Sequence, residues 1–213
     1  MTPKAQSTAA RRIAELAPII PVLVIDDVAH ARPLAEALIA GGLPALEVTL
    51  RTPEALDAIR EMAQVEGGAV GAGTLLTPDD VKAAKEAGAT FGVSPGATPG
   101  IIAACMEHQL PLLPGAATAT EVMALYEQGY DVMKFFPAET NGGAKALKAI
   151  GAPIPQVSFC PTGGVSPTNA LDYLSLPNVI CAGGSWVAPK DKMLAGDWAG
   201  IEALARDAAA LPR

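Results

Sequence analysis

Short apolar runs alternate with amphipathic stretches along almost the whole of this chain. Ile19–Ile25 is apolar throughout and reads as a buried strand. Val28–Ala40 repeats its apolar positions at helical spacing until Gly41-Gly42 stops it. The same unit recurs. Strands are predicted at Ala45–Leu50, Ala69–Gly73, Thr90–Ser94, Leu110–Leu113, Asp131–Phe136, Gln156–Cys160 and Val179–Ala182. Helices are predicted at Pro53–Gln64, Pro78–Ala87, Pro99–His108, Thr120–Gln128, Gly143–Ile150, Pro167–Leu174 and Asp197–Ala210. Ahead of the first strand a short helix is expected to run to about Leu16, with Ser7 as its N-cap and Pro18 as its stop.

Strictly alternating strands and helices imply a parallel sheet. Eight such units with no compositional break predict an α/β fold, a closed (β/α)8 TIM barrel, in one domain over residues 1–213 with a leading segment and helix over about 1–17. The 213 residues fall short of the ~250 typical of that architecture, so the loops must be lean. An open parallel sheet is the competing arrangement, and strand order separates the two.

Period-two reading of the strands then picks out polar residues in buried positions. In Asp131–Phe136 the residues Val132, Lys134 and Phe136 share one face and Met133 and Phe135 the other, so both faces are apolar and Lys134 is interior. Burial disfavours an ammonium ion, and a neutral amine is a nucleophile that forms Schiff bases with carbonyl compounds. The competing reading is a lysine whose stem is buried while its ammonium reaches water. In Ala45–Leu50 the residues Glu47 and Thr49, with Arg51 just beyond, lie opposite Leu46, Val48 and Leu50. That polar face points into a barrel, where Glu47 and Arg51 either pair with each other or are used chemically. Arg51 can also grip a carboxylate or phosphate with its planar fork.

In a (β/α)8 barrel the site lies at the C-terminal strand ends, with phosphate commonly held after strands seven and eight. Those strands end in Cys160-Pro161-Thr162-Gly163-Gly164 and Ala182-Gly183-Gly184-Ser185-Trp186, where glycines let backbone N–H groups crowd around an anion. Strand three ends in Gly71-Ala72-Gly73-Thr74, which lets a hydroxyl approach a ligand closely, and strand four in Ser94-Pro95-Gly96.

Composition narrows the partners. A net charge of −7 without a basic stripe argues against nucleic acid, and no segment reaches the ~18 uninterrupted apolar residues that would span a membrane. Arg11-Arg12 ahead of an apolar stretch invites an export-signal reading, but Glu15, Pro18 and Pro21 interrupt the run and no small-residue cleavage site follows before Asp26-Asp27. Cys105, Cys160 and Cys181 form neither a CxxC motif nor a zinc spacing, and His30 and His108 lie far apart on expected helix surfaces. A reducing cytoplasm and no metal are expected.

Six motifs in order, Leu46-Glu47-Val48-Thr49-Leu50-Arg51-Thr52, Gly71-Ala72-Gly73-Thr74, Ser94-Pro95-Gly96, Lys134-Phe135-Phe136-Pro137-Ala138-Glu139, Cys160-Pro161-Thr162-Gly163-Gly164 and Gly183-Gly184-Ser185-Trp186, resemble the 2-keto-3-deoxy-6-phosphogluconate (KDPG) and 4-hydroxy-2-oxoglutarate aldolases. They span nearly the whole predicted barrel. The resemblance implies a cofactor-free class I aldolase, a lyase of the Entner–Doudoroff pathway. Lys134 would form the Schiff base and Glu47 would move protons. Arg51, Thr74, Pro95 and Phe136 would line the pyruvate pocket, and Thr162, Gly163, Gly164, Gly184 and Ser185 would hold the phosphate of a phosphorylated keto-acid substrate. It also implies a homotrimer. Three alternatives stay open at this point: the aldolase for the galactonate epimer, a phosphosugar isomerase with Glu47 as enediolate base, and a non-catalytic phosphate-binding relative.

Overall fold

The computed structural model describes residues 1–213. Helix α1 (Pro3–Ala14) leads into strand β1 (Ile19–Leu23), a single 3₁₀ turn at Val28–His30 and α2 (Ala31–Ala40). The chain then alternates through β2 (Ala45–Thr49), α3 (Ala55–Met62), β3 (Ala69–Gly73), α4 (Pro78–Glu86), β4 (Phe91–Val93) and α5 (Pro99–Glu107). The fifth strand is split by Pro114, which has no N–H to give a ladder, into β5 (Leu112–Leu113) and β6 (Gly115–Ala116). There follow α6 (Ala119–Gln128), β7 (Val132–Phe135), α7 (Gly143–Gly151), β8 (Ser158–Pro161), α8 (Ala170–Leu174), β9 (Ala182–Gly184), α9 (Lys190–Ala195) and α10 (Trp198–Ala209).

Every pairing is parallel. A six-stranded sheet runs β5-β4-β3-β2-β1-β9 and a three-stranded one runs β6-β7-β8. Two single bridges, Phe159 to Val179 and Thr162 to Gly183, connect β8 with the approach to β9 and with β9 itself. The result is an α/β fold with a curled parallel sheet and an N-terminal helix.

The curl sorts side chains into two layers. Leu46, Val48, Met133 and Phe135 face outward and join Leu34, Leu38, Ile59 and Ile201 from the helices in one core. Each such residue contributes roughly 1.5–3 kcal/mol by leaving water. Ile20, Ala45, Phe91, Val93, Leu113, Val132, Cys160 and Cys181 fill the concave side at the N-terminal half of the strands. Ala14 of α1 joins that cluster, so α1 plugs this end.

Several expectations need correction. Thr2, not Ser7, caps α1 by accepting from the Ala5 N–H. Ser7 is fully buried and bonds instead to the start of β7. The last strand lies at Ala182–Gly184 rather than Val179–Ala182, and α9 was not anticipated. The glycines of β3 make room for neighbouring side chains. A Cβ on Gly71 would sit 2.4 Å from the Phe91 ring, and one on Gly73 would sit 2.3 Å from the Glu47 carboxylate. His30 sits on the 3₁₀ turn against Trp198, with ring centroids 5.7 Å apart.

Candidate active site

Glu47 and Lys134 come from β2 and β7, which are not neighbours in either sheet, yet both point to the concave side. There Lys134 Nζ donates to Glu47 Oε1 at 3.1 Å, and the two side chains are only 5% and 3% exposed. Breaking so buried a pair by deleting one partner costs about 3–5 kcal/mol. Glu47 therefore pairs with Lys134 and not with Arg51. A carbonyl group entering here would meet the lysine nitrogen with the Glu47 carboxyl group already in hydrogen-bonding contact.

A cavity of about 280 Å³ is lined by Arg51, Phe136, Thr162, Gly163, Gly164, Gly184 and Ser185, with Val22, Val24, Val165 and Gly183 completing its wall; Lys134 and Glu47 are not part of that lining and adjoin it through Phe136. Lys134 Nζ lies 5.3 Å from the centroid of the Phe136 ring. Arg51 Nε donates to Thr74 Oγ1 at 3.3 Å, and Thr74 sits at φ 61° just after β3. Pro95 does not line the cavity. Its carbonyl packs against Gly115 so closely that a Cβ there would be 2.2 Å away, and Gly115 is the pairing partner of Lys134 on β6.

The anion cradle is built by its carbonyls pointing elsewhere. Thr162 O accepts from the Ala138 N–H at 2.8 Å and Gly163 O from the Glu139 N–H at 3.0 Å. Gly164 O accepts from Asn169 Nδ2 at 3.0 Å. With φ of 99° at Gly163 and 80° at Gly164, the intervening N–H groups turn the other way. The N–H groups of Gly163, Gly164, Val165 and Ser185 donate to no protein acceptor. Successive free N–H groups of this kind form an anion-binding nest. Side chains of this scaffold, Asn169 and Glu139, were not singled out from sequence. Glu139 accepts from the Tyr173 hydroxyl, which burial first and then this carboxylate push above the ordinary phenol range. The first hint of Glu139 was its place at the end of the lysine motif; Asn169 left no signal.

No thiol stands ready as a rival nucleophile, since all three cysteines are free and buried. Burial pushes the Cys105 thiol up to about 12. Cys160, the pairing partner of Lys134, shares a buried cluster with Cys181, and its nearness together with burial holds the Cys181 thiol well up. No group of three or more His, Cys, Asp or Glu residues is placed to hold a metal ion.

Known proteins share this fold. The model of a family described as "KDPG and KHG aldolase" matches residues 11–204. A 2-dehydro-3-deoxy-phosphogluconate aldolase of Pseudoalteromonas atlantica is 54% identical over 194 residues, 91% of this chain and 90% of its own length. The crystal structure of the 2-keto-3-deoxy-6-phosphogluconate aldolase of Zymomonas mobilis with 3-phosphoglycerate has a TM-score of 0.93 at 50% identity, covering 97% of this chain and 98% of that one. A KDPG aldolase from Legionella pneumophila, with pyruvate captured as a covalent carbinolamine, has a TM-score of 0.91 at 43% identity over 94% of this chain and 98% of that one. Sequence likeness of this extent, over a fold that brings Lys134 and Glu47 together beside an anion cradle, leads to one conclusion: this chain belongs to the KDPG and KHG aldolase family.

Proposed function

We propose that this protein is a class I aldolase that cleaves 2-keto-3-deoxy-6-phosphogluconate to pyruvate and glyceraldehyde 3-phosphate, and that also takes 4-hydroxy-2-oxoglutarate. The observation that carries this reading is the 3.1 Å contact between the buried Lys134 amine and the Glu47 carboxylate. The cradle beside it and the carbinolamine in the Legionella relative support it further.

In this reading Glu47 takes the proton of Lys134, and the freed amine adds to the C2 carbonyl of the keto acid. Glu47 returns the proton to the carbinolamine hydroxyl, water leaves and a protonated imine forms. The C4 hydroxyl then gives up its proton to Glu47 and the C3–C4 bond breaks. Its electron pair moves into an enamine, and the aldehyde departs. Glu47 protonates C3 and water hydrolyses the imine to release pyruvate and Lys134. A single proton carrier serves each step because Glu47 is the one side chain hydrogen-bonded to Lys134. Arg51, steadied by Thr74, faces the substrate carboxylate, with Phe136 against the bound carbons and Pro95 behind Gly115. Thr162, Gly163, Gly164, Gly184 and Ser185 take the phosphate.

We read the two sheets as one closed (β/α)8 barrel in a single domain over residues 1–213. The continuous chain through Pro114 and the bridges at Phe159–Val179 and Thr162–Gly183 support closure. The enzyme works as a homotrimer in the cytoplasm; three free thiols suit a reducing compartment, and no helix is long and apolar enough to cross a membrane.

Borohydride reduction in the presence of pyruvate, followed by peptide mapping, tests the mechanism. A reduced pyruvyl adduct on Lys134 is expected. No adduct, or one on another lysine, rejects it and returns the isomerase reading.

A further inference from the structure

Beside the anion cradle the mouth opens into a second cavity of about 490 Å³, lined among others by Val22, Val24, Asp26, Ser185, Trp186 and Lys190. Val22, Val24 and Ser185 line both cavities, so the two are continuous at the serine of the cradle. Lys190 Nζ donates to Asp26 Oδ2 at 2.7 Å, joining the loop after β1 to the start of α9. The side chains are 68% and 52% exposed, and neither has another partner in the protein. An exposed pair of this kind is weakly held.

Charge counting gives the pair a role. A phosphorylated keto acid brings a carboxylate and a phosphate that is close to doubly charged at neutral pH. Arg51 is the only charged side chain lining the inner cavity, and the aldolase reading assigns it to the substrate carboxylate. The cradle itself consists of neutral N–H and hydroxyl donors. Lys190 is the only cation lining the adjoining cavity, and Asp26 pairs with it.

Resting on the aldolase reading above, we propose that Lys190 is a specificity-determining residue that exchanges Asp26 for the substrate phosphate held at Ser185 and the glycine cradle. Asp26 competes with the substrate for that ammonium, so the two residues act in opposite directions on one binding step. Rim charges work in this way on capture and on its salt dependence.

The test compares kcat/KM for 2-keto-3-deoxy-6-phosphogluconate with the rate at which pyruvate methyl protons exchange into D2O, a partial reaction that needs no distal site. Lys190→Ala lowers the first about tenfold relative to the second, with KM rising more than kcat falls, and Lys190→Arg restores most of it. Asp26→Asn moves the ratio the other way, about two- to threefold, and added salt narrows both differences. If the two variants shift the ratio in the same direction, the pair is only a loop brace and the proposal is overturned. Equal slowing of cleavage and exchange by Lys190→Ala overturns it as well. Were the unaltered protein to catalyse neither reaction, the aldolase reading would fall first, which is a distinguishable result.

Discussion

The two ends of β7 hold charged residues three positions apart and use them for different purposes. At the N-terminal end Asp131 is closed in by α1: Ser7 Oγ donates to Asp131 Oδ1 at 2.7 Å and accepts from the Asp131 and Val132 N–H groups. Lys4 Nζ reaches Asp131 Oδ2 at 2.5 Å, and Arg11 reaches the Asp131 carbonyl and Ser158 Oγ. At the other end Lys134 has a single polar partner, Glu47, with a cavity adjoining it. One end is satisfied and shut, while the other is paired but open to an incoming carbonyl. On the aldolase reading proposed above, charge at the N-terminal end of this strand contributes stability and charge toward its C-terminal end contributes chemistry.

The sharpest way to break this contrast is to replace the catalytic pair as a unit. Lys134→Met combined with Glu47→Gln is expected to lower kcat/KM by roughly 10⁴- to 10⁶-fold. Its melting temperature should hold or rise, because apolar or neutral groups of similar size in place of a buried ion pair are often neutral or stabilising. Thermal melts beside a coupled assay check both halves; a large loss of stability would mean that the mouth, too, is a structural device. Glu47→Gln alone is smaller in effect, about 10²- to 10⁴-fold in kcat, since the nucleophile remains and only the proton carrier is lost. At the other end of the strand the signs reverse. Asp131→Ala should leave kcat/KM within a factor of two while lowering the melting temperature by roughly 3–8 °C, the consequence of leaving the buried Ser7 hydroxyl and the Lys4 ammonium without their acceptor.

The same contrast decides what could be read from sequence. Lys134 and Glu47 were legible because strand alternation put polar side chains where only apolar ones are cheap. That Gly163-Gly164 and Gly183-Gly184 would line one cavity was legible because both pairs fall at strand ends. Their partners were not legible. That Glu47 meets Lys134 and not Arg51 depends on how β2 and β7 face each other across the curl, which no local pattern records. Ser7 was misjudged because a serine in a helix's first turns looks alike in sequence whether it caps that helix or bonds to a strand 124 residues away. Ala182–Gly184 escaped as a strand because glycine contributes no side chain to the pattern, so the apolar residues before it drew the boundary early. Asp26 and Lys190 lie 164 residues apart, and only the folded rim joins them.

The finest distinction is in pH dependence. Burial works against the Asp131 carboxylate, but hydrogen bonds from Lys4 and Ser7 and the charges of Lys4 and Arg11 outweigh it, so its pKa lies below the ordinary aspartate value. A carboxyl group whose folded pKa is depressed adds stability that is fully present above its unfolded value, near 3.9, and is lost as pH falls through the folded one. Asp131→Asn keeps the shape and removes the titration. The stability gap between the unaltered protein and this variant should therefore stay level from neutral pH down to about 5, then close below about 4. Urea midpoints measured at successive pH values follow it directly. Because Lys4 is 65% exposed, the closing gap should survive added salt. That would assign it to the buried Ser7 contact, whereas a gap that widens in acid would show that the plugged end of β7 gains nothing from its charge.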